Sequence, residues 1–98
     1  MLKDSIDILN ISTAKVIETI PVTSYGELSK KINKSQKTQL EWSSLSLKDR
    51  SIILRAVVDE IRDNAESYAE KLSMTNGKTQ LEALIAEVLP TLGSFEFF

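Results

Sequence analysis

The protein has 98 residues, of which 42% are hydrophobic, enough apolar character for one small folded domain. Its 12 basic and 14 acidic side chains give a net charge of −2, so no general electrostatic attraction to nucleic acids or anionic membranes is expected. The absence of Cys and His excludes disulfides, thiolate metal sites, a Cys nucleophile and an imidazole base. We therefore predict a helix-rich cytoplasmic protein with no membrane span.

Residues 5–22 predict a β-hairpin. Ile6 and Ile8 alternate with other side chains, and residues 16–22 are rich in β-branched residues around a proline. Residues 12–15 predict the turn, although they lack the glycine that most tight hairpins use. Because an isolated two-stranded hairpin is marginal in water, we expect it to pack against another part of the protein.

Four helices are predicted in residues 24–98. The first three cover about 25–42, 47–63 and 65–74, and the fourth begins near residue 80. An oxygen-bearing side chain before each helix can accept a hydrogen bond from an unpaired backbone N–H. These predicted N-caps are Ser24, Ser46, Asn64 and Thr79. Ser24 and Thr79 each precede a Glu by three residues, which predicts two capping boxes.

Two further signals shape the last helices. Asn76-Gly77 predicts the end of the third helix, because both residues tolerate the left-handed conformation found there. Pro90 predicts a kink in the fourth helix, because proline has no N–H to donate.

Two segments carry more apolar surface than a small protein can easily cover. From Ile52 to Val58 the only polar residue is Arg55, which predicts a helix buried on several sides. The last five residues, Ser94–Phe98, include three Phe, whereas chain termini are normally exposed. We therefore expect a chain that is cut inside a buried element of a larger protein.

Gly77-Lys78-Thr79 matches the end of a phosphate-binding P-loop. That loop needs a glycine where Leu72 stands and a strand where a helix is predicted. We therefore interpret the motif as a helix end, a solvated lysine and a new N-cap.

One cluster of basic residues lies in the first helix, and no acid occurs between residues 28 and 40. The cluster suggests a phosphate-binding or nucleic-acid-binding face, but the flanking chain is neutral to acidic and no aromatic residue interleaves with the lysines. We favour a solvated outer face. The residues are Lys30, Lys31, Lys34 and Lys37.

The acidic pairs Asp59/Asp63 and Glu66/Glu70 lie on polar helix faces, whereas a catalytic pair needs a cleft with unequal environments. We interpret both pairs as surface residues and Trp42 as a core anchor. No residue is assigned a catalytic, cofactor-binding or metal-binding role.

A series of motifs, in order along the chain, resembles the N-terminal segment of NAD(P)-dependent aldehyde dehydrogenases. The family pattern N-P-x-T-G-x-x-I-x-x-x-P corresponds to residues 10–21, and a following helix that ends in Trp corresponds to residues 24–42. The pattern R-x-x-I-L-R-x-x-A-D-x-[IL] corresponds to residues 50–61. The patterns E-x-G-K-P-x-x-x-A and E-V correspond to residues 75–83 and 87–88. The resemblance departs from the family at Ile11, Ala14, Asn76 and Thr79, where Pro, Gly, Thr and Pro are common.

The resemblance implies the N-terminal part of the cofactor-binding domain of an α/β oxidoreductase, with most of the Rossmann-like sheet missing. Family members oxidise aldehydes to carboxylic acids with NAD or NADP, by attack of a Cys thiolate on the carbonyl. This chain has neither a Cys nor a Gly-rich strand–turn–helix. We therefore expect a truncated segment that is not catalytic alone and binds no cofactor itself.

Two hypotheses about partners remain open from the sequence. In the first, the remainder of the parent enzyme, or a second copy of the chain, covers the apolar surface. In the second, the chain is a free-standing helical module that binds another protein. Nucleic-acid or membrane partners are not expected, because the chain is slightly acidic and has no long apolar run.

Overall fold

The computed structural model describes residues 4–95, which are mostly helical with one two-stranded antiparallel sheet. The strands are β1 (Ser5–Leu9) and β2 (Val16–Pro21). The helices are α1 (Tyr25–Ser44), α2 (Leu47–Asp63), α3 (Ala65–Asn76), α4 (Gln80–Ala83) and α5 (Leu89–Phe95), with a π-helical segment, Leu84–Val88, between the last two. The predicted fold class, mostly α with an N-terminal β-hairpin, is confirmed. Phe97 and Phe98, which the prediction about the chain end also used, lie outside the described residues.

The hairpin turn is built around Asn10. Its Oδ1 accepts hydrogen bonds from the backbone N–H groups of Ser12 (2.9 Å) and Thr13 (3.2 Å), an arrangement that mimics a backbone turn. The Ala14 N–H donates to the Asn10 carbonyl at 2.8 Å. Ala14 has a φ of 57°, a left-handed conformation that costs an L side chain more than glycine. Ala14 therefore occupies the position in the turn at which a glycine would be favoured.

The hairpin is attached to the helices at its turn. The Ile11 N–H donates to the carbonyl of Met74, near the end of α3, at 2.9 Å. Gly77 ends α3 with a φ of 75°, and a Cβ added there would lie 3.4 Å from Ile11 Cγ2. The hairpin turn therefore packs against the end of α3.

Side-chain caps begin three of the helices as predicted. The Glu27 N–H donates to Ser24 Oγ at 3.2 Å, and the Ser24 N–H donates back to the Glu27 carboxylate at 3.0 Å. Thr79 and Glu82 repeat this capping box at the start of α4, and Ser46 accepts from the N–H of Asp49 at 3.1 Å. The Ser24 backbone and hydroxyl hydrogen bonds, with a smaller contribution from nearby positive charge, hold the pKa of Glu27 below its ordinary value.

The prediction that Asn64 caps α3 with its side chain is wrong. Asn64 occupies the N-cap position, but its φ of −111° and ψ of 19° differ from the extended conformation of a normal N-cap. Its side-chain amide instead donates to the carbonyl and the carboxylate of Glu60, both at 2.9 Å. Asn64, the single residue between α2 and α3, therefore ends α2 and does not cap α3 with its side chain.

Pro90 explains the irregular last helix. A regular α-helix would require the residue 90 N–H to bond the carbonyl of Ala86, and proline has no such donor. Just before it the helix widens into the π-helical segment, where the Leu89 N–H donates to the Leu84 carbonyl five residues back. The helix thus contains one wide turn just before Pro90, and the kink itself stays a prediction.

A small core lies where α3 packs against α4 and the π-helical segment. Its buried residues are Ala69, Ala83 and Val88. Partly buried side chains surround them and join α2 to the group: Ile61, Ala65, Leu72 and Leu84. Because two of the three buried side chains are alanines, this core removes little apolar area from water.

The described fold is flat and open. The radius of gyration is 17.5 Å, whereas a compact domain of this length has about 13 Å. The extents are 47 × 39 × 17 Å, so the molecule is about two helices deep. The accessible surface is 8320 Å², about 2,700 Å² more than a compact protein of 11.0 kDa would expose.

Candidate interaction surface

One side of α2 exposes several apolar side chains. Ile52, Ile53 and Val57 are 58%, 47% and 41% exposed, and the exposed Ala56 lies among them. We call these four residues the α2 flank. Leu54, Val58 and Ile61 lie on the other side of α2 and are partly buried. The apolar segment predicted to need cover on several sides is covered on only one within residues 4–95.

Arg50, in the first turn of α2, has an incomplete environment. Its Nε is buried and has no hydrogen-bond partner among residues 4–95. A buried N–H donor without an acceptor costs about 1–3 kcal/mol, so native proteins rarely leave one unpaired.

The hairpin is also exposed on both of its faces. Ile6 pairs with Ile20 across the strands, and both remain exposed. On the opposite face the Thr19 hydroxyl donates to the Asp7 carboxylate at 2.7 Å, a contact in solvent. The hairpin needs a packing partner beyond the helix end that holds its turn.

Lys78 was interpreted as a solvated lysine, and its side chain is 40% exposed. Its ammonium forms an ion pair with Glu87, in the π-helical segment, and both side chains are only partly exposed. The pair ties the turn after α3 to the widened helix. The left-handed φ of Gly77 and the capping by Thr79 agree with the helix-end interpretation of the motif.

The lysine cluster lies on exposed positions of α1, a helix with no buried residue: Lys30, Lys31, Lys34 and Lys37. Four exposed lysines on one helix are consistent with the solvated face that the sequence favours. Trp42, on the same helix, is partly exposed and lies outside the core. Its prediction as a core anchor is wrong for the described chain, because α1 lies away from the packed helices.

The acidic pairs stay on the surface. Asp59 is exposed and its carboxylate accepts from Arg62 at 2.9 Å. Within residues 4–95 no three His, Cys, Asp or Glu side chains group closely enough to hold a metal ion. No helix in the same range is long and apolar enough to cross a membrane.

With this geometry established, comparison with known proteins gives one consistent result. The model of the aldehyde dehydrogenase family matches residues 2–98. The chain is 28% identical over 93 residues to 2-aminomuconic semialdehyde dehydrogenase of Homo sapiens, a match covering 95% of this chain and 19% of that protein. It is 27% identical over 93 residues to betaine aldehyde dehydrogenase of Rhizobium leguminosarum, again covering 95% and 19%. A third match, to 4,4'-diapolycopene aldehyde oxidase of Methylomonas, has 24% identity over 84 residues and covers 86% and 16%. No solved structure gives a significant match.

The chain belongs to the aldehyde dehydrogenase family and corresponds to its N-terminal segment. It spans less than one fifth of the length of these three relatives. Each relative is therefore at least five times as long as the matched segment.

Proposed function

We propose that this chain is the N-terminal structural segment of the cofactor-binding domain of an NAD(P)-dependent aldehyde dehydrogenase. In this proposal the assembled enzyme oxidises an aldehyde to a carboxylic acid in the cytoplasm. The segment itself contributes packing surface and no reacting group.

The observation that carries the proposal is the open apolar surface. The chain exposes about 2,700 Å² more than a compact protein of its mass, and the α2 flank is part of that excess. At about 25 cal/mol per Å², covering about 900 Å² of apolar surface is worth about 20 kcal/mol before entropy is subtracted.

The side chains present do not fit a nicotinamide dinucleotide. Binding of its pyrophosphate would need a Gly-rich turn between a strand and a helix, with free backbone N–H groups. The turn at Gly77-Lys78-Thr79 follows a helix, and Lys78 is engaged by Glu87. The proposal therefore assigns cofactor binding and the thiolate chemistry to the part of the enzyme outside this chain.

A chimera tests the proposal directly. In the betaine aldehyde dehydrogenase of Rhizobium leguminosarum, the matched segment is replaced by this chain and NAD(P) reduction is measured with betaine aldehyde. We expect the chimera to retain activity within about tenfold of the parent, because the segment positions no reacting atom. The isolated chain is assayed in parallel with a panel of aldehydes and is expected to show no turnover.

The control chimera carries Ala83→Asp, which places a carboxylate at the most buried position of the small core. We expect it to lose activity by misfolding, whereas the unmodified chimera stays folded and active. Turnover by the isolated chain would contradict the proposal. A correctly folded but inactive chimera would also contradict it, and would favour the free-standing interaction module.

A further inference from the structure

The two free edges of the hairpin differ. The Val22 N–H donates to the Asp4 carbonyl and the Asn10 N–H donates to the Lys15 carbonyl, both at 2.8 Å. Even-numbered residues of β1 therefore face β2, and the N–H and carbonyl groups of the odd-numbered residues point away from it. On β1 these outward residues are Ser5, Asp7 and Leu9.

The free edge of β2 is interrupted at both ends. Its outward residues are Ile17, Thr19 and Pro21. The register shifts next to Leu9, which pairs with Val16, and this bulge displaces Ile17 from the ladder. Pro21 has no N–H to offer, so only Thr19 remains in regular geometry. Bulges and prolines are two of the devices by which natural sheets prevent edge pairing, and β1 has neither along its five residues, although it carries the charged Asp7.

We infer that the free edge of β1 takes a third strand, antiparallel or parallel, from a part of the aldehyde dehydrogenase fold outside this chain. The inference rests on the proposed function, because the relatives supply the additional chain. At its far end the added strand stops against α3, since the Ile11 N–H already bonds the Met74 carbonyl there. The hairpin would become a three-stranded sheet, the smallest with independent stability in water.

A second copy of the chain is a poorer occupant of the same edge. If two β1 strands paired about a two-fold axis through their centres, Asp7 of one copy would lie directly opposite Asp7 of the other. Like charges in directly opposed positions destabilise a sheet. The favoured partner is therefore an extended segment with a basic or neutral residue opposite Asp7 and apolar residues opposite Ile6 and Ile8.

Hydrogen exchange in the chimera with the Rhizobium enzyme tests the inference on an intact fold. We expect the N–H groups of Ser5, Asp7 and Leu9 to exchange at least about tenfold more slowly in the chimera than in the isolated chain, since each gains a ladder hydrogen bond. The Thr19 N–H, on the interrupted edge, serves as the reference and is expected to change less. Unchanged rates for the three β1 groups in an active chimera would overturn the inference while leaving the proposed function standing.

A fusion tests the chemistry of the partner strand. The sequence Thr-Val-Lys-Val-Thr is joined to Met1 by a flexible Gly/Ser linker, which supplies it to the edge at an effective concentration of about 1 mM or more. We expect protection of the same three N–H groups, and less protection when the central Lys is Glu. A central Pro, which removes one ladder donor, is expected to abolish it. Equal protection by all three fusions would overturn the inference, as would concentration-dependent protection of the unfused chain, which would identify a second copy as the occupant.

Discussion

The region from α3 to α5 and the region before it are held together in different ways. In α3 to α5 the helices pack on each other around Ala69, Ala83 and Val88, and the Lys78–Glu87 ion pair joins two of the segments. In the hairpin and α1 no residue is buried, although α1 has a complete capping box and the hairpin a well-bonded turn. Short-range sequence signals are therefore enough to define helices and strands. Packing those helices and strands together requires apolar surface on other elements.

A charge in the core should give the largest effect. Ala83→Asp buries a carboxylate without a partner at a position with no exposed surface, which we expect to cost about 3–5 kcal/mol and to unfold α3 to α5. The measurement is loss of the helical circular dichroism signal of the isolated chain. The matched control is Ala56→Asp on the α2 flank, which should cost about 0.7 kcal/mol or less through helix propensity alone. Equal losses of helical signal for the two substitutions would show that the two regions do not differ in how tightly they are packed.

The hairpin turn offers a change of the opposite sign. Ala14→Gly should stabilise the hairpin by about 1 kcal/mol, because it relieves the left-handed conformation at φ 57°. Hydrogen exchange at the Ile6 and Ile8 N–H groups, which face β2, should slow by about fivefold. Ala56→Gly, in a helix, is the control and should destabilise by about 1 kcal/mol. Faster exchange after Ala14→Gly would argue against the turn geometry.

The two ion pairs should differ in strength. A double-mutant cycle with Lys78→Met and Glu87→Gln should give a coupling energy of about 0.5–1 kcal/mol in urea unfolding, since both side chains are only partly exposed. The pair Arg62–Asp59 is about two-thirds exposed, with 61% and 66% of its side chains accessible, and should couple by about 0.3 kcal/mol or less. A stronger coupling at Arg62–Asp59 would contradict the picture of one packed region and one open region.

The smallest expected effect is the pH dependence of α1. The pKa of Glu27 is lowered by the capping box, so the unfolded state binds the proton more readily than the folded state. The contribution of Glu27 is therefore present above the ordinary glutamate pKa of about 4.3 and is lost as the pH falls through the lowered value. Helicity measured between pH 7 and pH 2 should fall less in Glu27→Gln than in the parent chain. A Glu66→Gln variant, whose residue is not part of a capping box, is the control.

Much of the local structure follows from short-range signals in the sequence. Ser24 with Glu27 and Thr79 with Glu82 predict helix starts because both partners of each box lie within one turn. Pro90 predicts a kink for the same local reason, although the compensation by a π-helical segment depends on how the whole helix rearranges. The Asn64 prediction is wrong because Glu60, on the preceding helix, offers a competing acceptor.

Predictions that depend on tertiary packing were less accurate than those that depend on neighbouring residues. Trp42 is a large apolar residue near a helix end, which favours a core position, but α1 has nothing to pack against within residues 4–95. The Lys78–Glu87 pair joins residues nine apart across a turn and a helix, and no periodicity predicts such a contact. The excess of apolar residues in Ile52–Val58 did predict missing cover, because that inference needs only composition and not geometry.

The contact between the hairpin turn and the end of α3 affects the order in which the chain folds during synthesis. Ile11 leaves the ribosome well before Met74 and Gly77, the residues that receive it. At translation rates of about 5–20 residues per second, the interval is between about 3 and 13 s. Throughout that time the turn at Asn10 and Ala14 can form, but the end of α3, against which it packs, has not yet been synthesised. The hairpin is therefore synthesised before α3 but is fixed in place only after α3 has formed.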